Sequence, residues 1–145
     1  MYTIGQVSDM FSLPISTLRY YDKQGLFPGL ERTSGIRQFG EREIETLRII
    51  ECLKKSGLEI RDIKQFIDWC QQGEATYERR RELFARQKET VEKEIDRLNQ
   101  VRDMLTFKCW FYEQAIQHGS DAPARALLPD RLPEDIQRAY DNAHR

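Results

Sequence analysis

The stretch from Ala75 to about His118 contains neither proline nor glycine, and this uninterrupted run most strongly limits how the chain can fold. At a rise of about 1.5 Å per residue, its 44 residues would form a helix roughly 66 Å long. Apolar side chains recur in it at every seventh position, which is typical of a coiled coil. Those at heptad position d are Tyr77, Phe84, Val91, Leu98, Leu105 and Tyr112.

The second seam of this helix, heptad position a, is half charged. Its residues are Arg81, Lys88, Ile95, Arg102, Cys109 and Ile116. Burying one d side chain is worth roughly 1.5–3 kcal/mol. Six such side chains per chain, doubled in a dimer, should exceed an association cost of about 4–15 kcal/mol. The pattern predicts a homodimer formed through this helix, and the charged a positions favour an antiparallel pair over a uniform parallel zipper.

Two short helices are predicted near the N-terminus, with a short break between them. Thr3 and Gln6 have the spacing of a capping box, so the first helix is expected over residues 3–11. The second begins near Pro14, since proline suits a first turn, and stops at Gly25. A break this short is typical of a helix-turn-helix.

The second helix presents a polar face. At about 100° per residue, Ile15 and Leu18 should point toward the first helix. Hydroxyl, phenol and guanidinium groups contact base edges and phosphates, although an ordinary polar helix surface is the alternative. The outward residues are Ser16, Thr17 and Tyr20, with Arg19 at the border.

Residues 26–39 carry the signals of a small β-hairpin, with a turn at Ser34 and Gly35 flanked by Arg32 and Arg37. Such a wing can straddle a phosphate backbone. Two further helices should follow, over 41–56 and about 60–71, each stopped by a glycine.

The predicted fold is mainly α and has three parts. Residues 1–73 form a winged helix-turn-helix DNA-binding domain, residues 74–119 the dimerisation helix, and residues 120–145 a tail in which Pro133 can open a short last helix. The sequence leaves open whether this tail packs on the dimer or stays mobile.

Charge and hydropathy narrow the function. The net charge of −1 does not itself indicate a nucleic-acid partner, and residues 16–38 form only a weak basic patch. No apolar run approaches the roughly 20 residues of a membrane span, and the N-terminus lacks the pattern of a signal peptide. We therefore expect a cytoplasmic protein with no membrane partner.

Nothing in the sequence indicates a metal, a cofactor or catalysis. The three cysteines are widely spaced, and no CxxC or HExxH motif is present. There is no nucleophile–base pair and no phosphate loop, and both histidines, His118 and His144, lie at a helix end or in the tail. An architectural DNA-binding protein of excisionase type would share the winged helix but would not need a 44-residue dimer helix.

Several motifs in the right order resemble the MerR family of bacterial transcription regulators. They are YTIGQVSDMFSLPISTLRYYDKQGLF, GIRQF, EREIETLRII and KKSGLEIRDIK, within residues 2–72. The resemblance implies an antiparallel coiled-coil dimer that binds double-stranded promoter DNA with an overlong spacer. It also implies that the activated dimer bends and undertwists this DNA, and that RNA polymerase responds to the distortion.

The resemblance also implies which residues contact DNA. Ser16, Thr17, Arg19 and Tyr20 would lie along the recognition helix. Arg37 beside the wing turn would contact phosphate, and Lys64 would do so from a second wing-like element. The chain departs from the family at Ile36 and Phe39, where tyrosines are usual, and at Pro14, where serine is frequent.

The resemblance bears on the effector as well. Metal-sensing members carry a cysteine pair after the dimer helix, whereas this chain has only Cys109 and His118 there, so we expect no metal effector. Cys52 resembles the single cysteine of the branch linked to aldehyde, electrophile or nitrosative stress. Lys54 and Lys55 would favour its thiolate, and a buried core cysteine is the alternative.

The other two cysteines and the aromatic residues near the end of the long helix also have expected positions. Cys70 lies on an apolar stripe and is expected in the core, and Cys109 in the dimer interface. Trp110 and Tyr112 would line a small apolar effector pocket between the coiled coil and the partner's DNA-binding domain, unless this aromatic cluster is plain packing.

Overall fold

The computed structural model describes residues 1–145, and helices dominate it. The mainly α class, the two-stranded wing and the long helix predicted from the sequence are confirmed. The helices are α1 (Ile4–Phe11), α2 (Ile15–Lys23), α3 (Glu41–Lys55), α4 (Ile60–Gln72), α5 (Tyr77–His118), α6 (Ala122–Arg125) and α7 (Glu134–Ala143). The strands are β1 (Glu31–Thr33) and β2 (Ile36–Gln38), and a 3₁₀ turn, Gly73–Thr76, precedes α5.

The predicted capping box opens α1. The backbone N–H of Gln6 donates to Thr3 Oγ1 at 3.2 Å, and that of Thr3 donates to Gln6 Oε1 at 2.9 Å. Leu18 is fully buried as expected. The inward placement of Ile15 is wrong in part, since this side chain is 37% exposed. Tyr21, one turn after Leu18, occupies the buried face of α2 instead.

The core of the first compact unit, Met1–Lys88, continues into α5. Leu83 is buried in the same apolar cluster as the helix-turn-helix residues, and Gln87 Nε2 donates to the carbonyl of Ser56 at 2.6 Å. The unit therefore extends into the first turns of α5. Other members of this core are Val7, Leu26, Phe39, Ile44, Leu47, Ile50 and Ile63.

The wing is a tight antiparallel hairpin in which Arg32 lies opposite Arg37. Ser34 and Gly35 form its turn with φ of 52° and 79°. Positive φ at both central residues matches the twist of a two-residue hairpin. Phe39 anchors the base, because its ring is buried edge-on against Phe27 with centroids 5.5 Å apart.

The second compact unit, Glu89–Arg145, contains the rest of α5 with α6 and α7. The Tyr140 ring lies 4.9 Å from the Phe107 ring, centroid to centroid, in an edge-on arrangement. Arg145 Nη2 donates to Asp96 at 2.9 Å. The tail thus packs on α5 of its own chain, which the sequence left undecided, and the expected last helix is present as α7.

Helix α5 has two apolar faces within this unit. The tail contacts heptad positions b, c and f, where Phe107 and Phe111 are buried. The d residues on the opposite side are not covered: Val91 is 40% exposed and Leu105 53% exposed. The predicted seam is therefore open along this part of the helix.

All three cysteines are exposed. The expected core position of Cys70 is wrong, because Ile63 and Ile67 take the buried face of α4. The buried-core alternative for Cys52 is wrong as well, since Ile44, Leu47 and Ile50 form the inner face of α3. No helix is long and apolar enough to cross a membrane.

Candidate DNA-binding surface

Helix α2 and the wing enclose a shallow hollow. Four of the residues predicted to contact DNA line it together: Ser16, Arg19, Tyr20 and Arg37. Thr17, which is half-buried, lies on the same helix but outside the lining. The hollow also contains three charged side chains that were not among the predicted contacts, namely Asp22, Lys23 and Arg32.

Tyr20 also lines a second hollow, between the end of α2 and the start of α4. Lys64 lies here, with its Nζ 2.6 Å from Asp68 Oδ1. Its stem crosses Gly25, where a Cβ would stand only 2.8 Å from Lys64 Cε. Because α4 begins at Ile60 on the wall of this hollow, its first-turn N–H groups add positive potential. Arg61, another lining residue, was not predicted.

One carboxylate connects α2 to both wing strands. Asp22 Oδ2 accepts from Arg32 Nη2 at 2.6 Å and from Arg37 Nε at 2.7 Å. Arg37 keeps both terminal nitrogens for other partners, and the guanidinium of Arg32 keeps its remaining N–H groups. Local charge in the sequence marked these arginines, but only the hairpin register brings them to the same carboxylate.

A polar contact fixes α3 behind α2. Lys54 Nζ donates to the Tyr21 hydroxyl at 2.6 Å, and that hydroxyl donates to Glu51 Oε2 at 3.3 Å. Burial raises the pKa of Tyr21, and the hydrogen bond to Tyr21 raises the pKa of Lys54. Lys54 is thus held on the side of α3 that faces α2.

The candidate effector residues Trp110 and Tyr112 have different surroundings within one chain. Trp110 is half-buried and lines an open hollow that also contains Cys109 and Ile136. Tyr112 is 59% exposed, and its ring packs edge-on against Phe111 with centroids 5.2 Å apart. An effector pocket that also needs the partner's DNA-binding domain stays a prediction.

A two-helix motif followed by a hairpin, with cations on the exposed helix and on the wing, defines the chain as a winged helix-turn-helix DNA-binding protein. The family model described as MerR HTH family regulatory protein matches residues 2–68, and the one described as MerR, DNA binding matches residues 44–106. The chain belongs to the MerR family of helix-turn-helix transcriptional regulators, a family of regulators rather than enzymes.

Similar proteins cover most of the chain. An uncharacterized HTH-type transcriptional regulator of Haemophilus influenzae is 34% identical over 134 residues, which are 92% of this chain and 97% of that protein. The transcriptional regulator AdhR of Bacillus subtilis is 35% identical over 89 residues, covering 61% of this chain and 64% of AdhR.

The chain is also similar to solved structures of MerR family regulators. One is HiNmlR, a MerR family regulator lacking the sensor domain, bound to promoter DNA. It matches with a TM-score of 0.65 at 35% identity, covering 83% of this chain and 96% of HiNmlR. A putative MerR family regulator from Listeria monocytogenes matches with a TM-score of 0.69 at 28% identity, covering 88% and 94%.

Proposed function

We propose that the chain regulates transcription as a homodimer and that each subunit contacts promoter DNA through α2 and the wing. The observation that carries this proposal is the hollow in which Ser16, Arg19, Tyr20 and Arg37 meet. Helix α2 enters the major groove, which is about 12 Å wide and admits one helix. Four residues of this helix face the bases and nearby phosphates: Ser16, Thr17, Arg19 and Tyr20.

The wing and α4 contact the backbone on either side of α2. Arg37 holds Asp22 through Nε, so its terminal N–H groups are available to a phosphate. Lys64 contacts a phosphate as a point charge from the second hollow. Phosphate contacts of this kind fix the register of the protein on the duplex, whereas the residues of α2 supply the sequence preference.

Arg19→Ala tests the recognition helix. A base or phosphate contact is worth about 1–3 kcal/mol, so we expect operator affinity to fall roughly 5- to 150-fold in a fluorescence-anisotropy titration. Arg48→Ala is the matched control, because Arg48 is an exposed arginine of α3 that pairs with Glu45 outside both hollows. Wild-type affinity in Arg19→Ala would contradict the assignment of α2.

The open seam of α5 supports the dimer. Its exposed apolar residues in the second unit include Val91, Ile95, Leu98 and Leu105. We propose an antiparallel pair in which Ile95 packs on Leu105 of the partner subunit and Val91 on the partner's Cys109. This register brings Glu94 near Lys108 of the partner subunit, and a shift of one heptad would place Glu94 near Val101 or Ala115 instead.

Disulfide trapping distinguishes an antiparallel pair from a parallel one and tests the proposed register. In a Cys52→Ser, Cys70→Ser background, Val91→Cys should cross-link to the partner's Cys109 under mild oxidation. Leu98→Cys is the matched control, since it would lie one heptad, roughly 10 Å, away from that thiol along the helix. A parallel pair would oppose two copies of Cys109 and cross-link without an added cysteine. Equal cross-linking of both variants would contradict the register.

We further propose that the dimer acts by distorting its promoter, and that RNA polymerase responds to the DNA shape rather than to a protein contact. Binding two half-sites at once couples subunit geometry to DNA bending and twist. Shortening the promoter spacer to its ordinary length should then make transcription in vitro independent of the regulator. Continued dependence would argue for direct contact with the polymerase. This activity belongs in the cytoplasm, where the bacterial promoter is.

For the effector we propose an electrophile that reacts with Cys52, whose exposure on α3 makes it accessible to a reagent. The resemblance of Cys52 to the single cysteine of the branch linked to aldehyde and electrophile stress favours this choice. Cys52→Ser should abolish the response of a promoter reporter to aldehydes. Cys70→Ser is the control and should leave this response intact, since Cys70 is also exposed. The alternative is a small apolar ligand at Trp110 or Tyr112, which Trp110→Ala would impair instead.

A further inference from the structure

Asp22 occupies a central position at the proposed DNA-binding surface. A single oxygen, Oδ2, accepts hydrogen bonds from both Arg32 and Arg37, which face each other across the two strands of the wing. The Asp22 side chain is only 12% exposed, so its charge is directed at the two guanidinium groups rather than at solvent. One carboxylate on the recognition helix therefore fixes the orientation of both wing arginines.

Free arginine side chains lose considerable rotamer freedom when they bind a ligand. Here part of that loss has already occurred, because each guanidinium is held on one edge by Asp22 and keeps its other N–H groups. The strands of the wing are only three residues long. The wing therefore provides few contacts of its own that could hold the two arginine side chains in place. Asp22 thereby joins the orientation of the wing cations to that of α2.

We propose that Asp22 is a positioning residue for DNA binding, which holds Arg32 and Arg37 so that their remaining N–H groups meet the phosphate backbone. This inference rests on the proposed DNA-binding surface. The proposal predicts the opposite of what charge repulsion alone would give. A carboxylate repels a nearby phosphate, so removing a carboxylate that has no positioning role should tighten DNA binding about two- to threefold. Removing Asp22 should instead weaken DNA binding.

Asp22→Asn removes the charge and keeps the shape. We expect operator affinity to fall about five- to tenfold. The plot of log affinity against log salt concentration should become less steep by about one for each phosphate contact that is lost. Glu31→Gln is the matched control, because Glu31 is an exposed carboxylate of β1 for which a lost charge should leave affinity equal or slightly higher. Binding that is unchanged or tighter in Asp22→Asn would overturn the proposal.

A double-mutant cycle separates positioning from a loss of stability. If Asp22 acts through the arginines, Asp22→Asn should no longer weaken binding in an Arg32→Ala, Arg37→Ala background, where loss of the charge should leave affinity equal or about two- to threefold higher. A fall of equal size in both backgrounds, or an unchanged salt dependence, would show that Asp22 only supports the fold and would refute positioning. If the arginine variants alone bind DNA like wild type, the proposed surface itself is wrong, which is a distinguishable result.

Discussion

The open seam of α5 allows the dimer to be tested quantitatively at Leu98, which is 51% exposed. Complete burial of a leucine side chain is worth roughly 1.5–3 kcal/mol, so burying the remaining half would contribute about 1 kcal/mol per chain. A dimer contains two copies, so Leu98→Ala should cost about 2 kcal/mol. At about 1.4 kcal/mol for each tenfold, the dimer dissociation constant should rise roughly 30-fold.

Sedimentation equilibrium of the full chain over a concentration series measures this constant directly. Alanine has the highest helix propensity, so the substitution should not weaken α5 itself. Met104→Ala is the matched control, since Met104 is 38% exposed on the same helix but at heptad position c, off the seam. Unchanged association in Leu98→Ala, or an equal loss in Met104→Ala, would refute the assignment of the seam.

Three further predictions follow from local geometry. Gly25→Ala should cost about 1–2 kcal/mol in chemical denaturation, because φ is +80° there, and should weaken DNA binding by displacing the Lys64 side chain. Since folding raises the pKa of Tyr21 above 10.0 and of Lys54 above 10.5, their contribution to stability is complete below those values and is lost at higher pH. The melting temperature should therefore fall above about pH 10, and a fall of the same size in Tyr21→Phe would contradict this. Tyr140→Ala should cost about 1–3 kcal/mol and accelerate proteolysis of the tail, because the half-buried ring covers the α5 aromatic residues.

The features that the sequence predicted well depend on neighbouring residues. The capping box of Thr3 and Gln6 and the hairpin turn at Ser34 and Gly35 each involve a few consecutive positions. The exposed d positions of α5 were also predictable, because a seven-residue period specifies one face of a helix regardless of what packs elsewhere. Local periodicity and turn chemistry therefore fixed most of the elements.

The features that were missed depend on contacts between distant parts of the chain. Leu83 extends the first core into α5, and its heptad position gave no indication of this. Cys70 lies on the apolar side of α4 by spacing, yet Ile63 and Ile67 fill the space and leave it exposed. The contact of Asp22 with two arginines requires the hairpin register, which charge along the sequence does not contain.

The two apolar faces of α5 determine how many neighbours one chain can acquire. A helix with two uncovered apolar faces can contact two other chains, and such an assembly either closes or continues as a filament, depending on the geometry of the contacts. Here the chain's own tail covers Phe107 and Phe111, and the seam of d residues stays uncovered. We therefore expect removal of residues 120–145 to yield assemblies larger than the proposed dimer, because it uncovers a second apolar face.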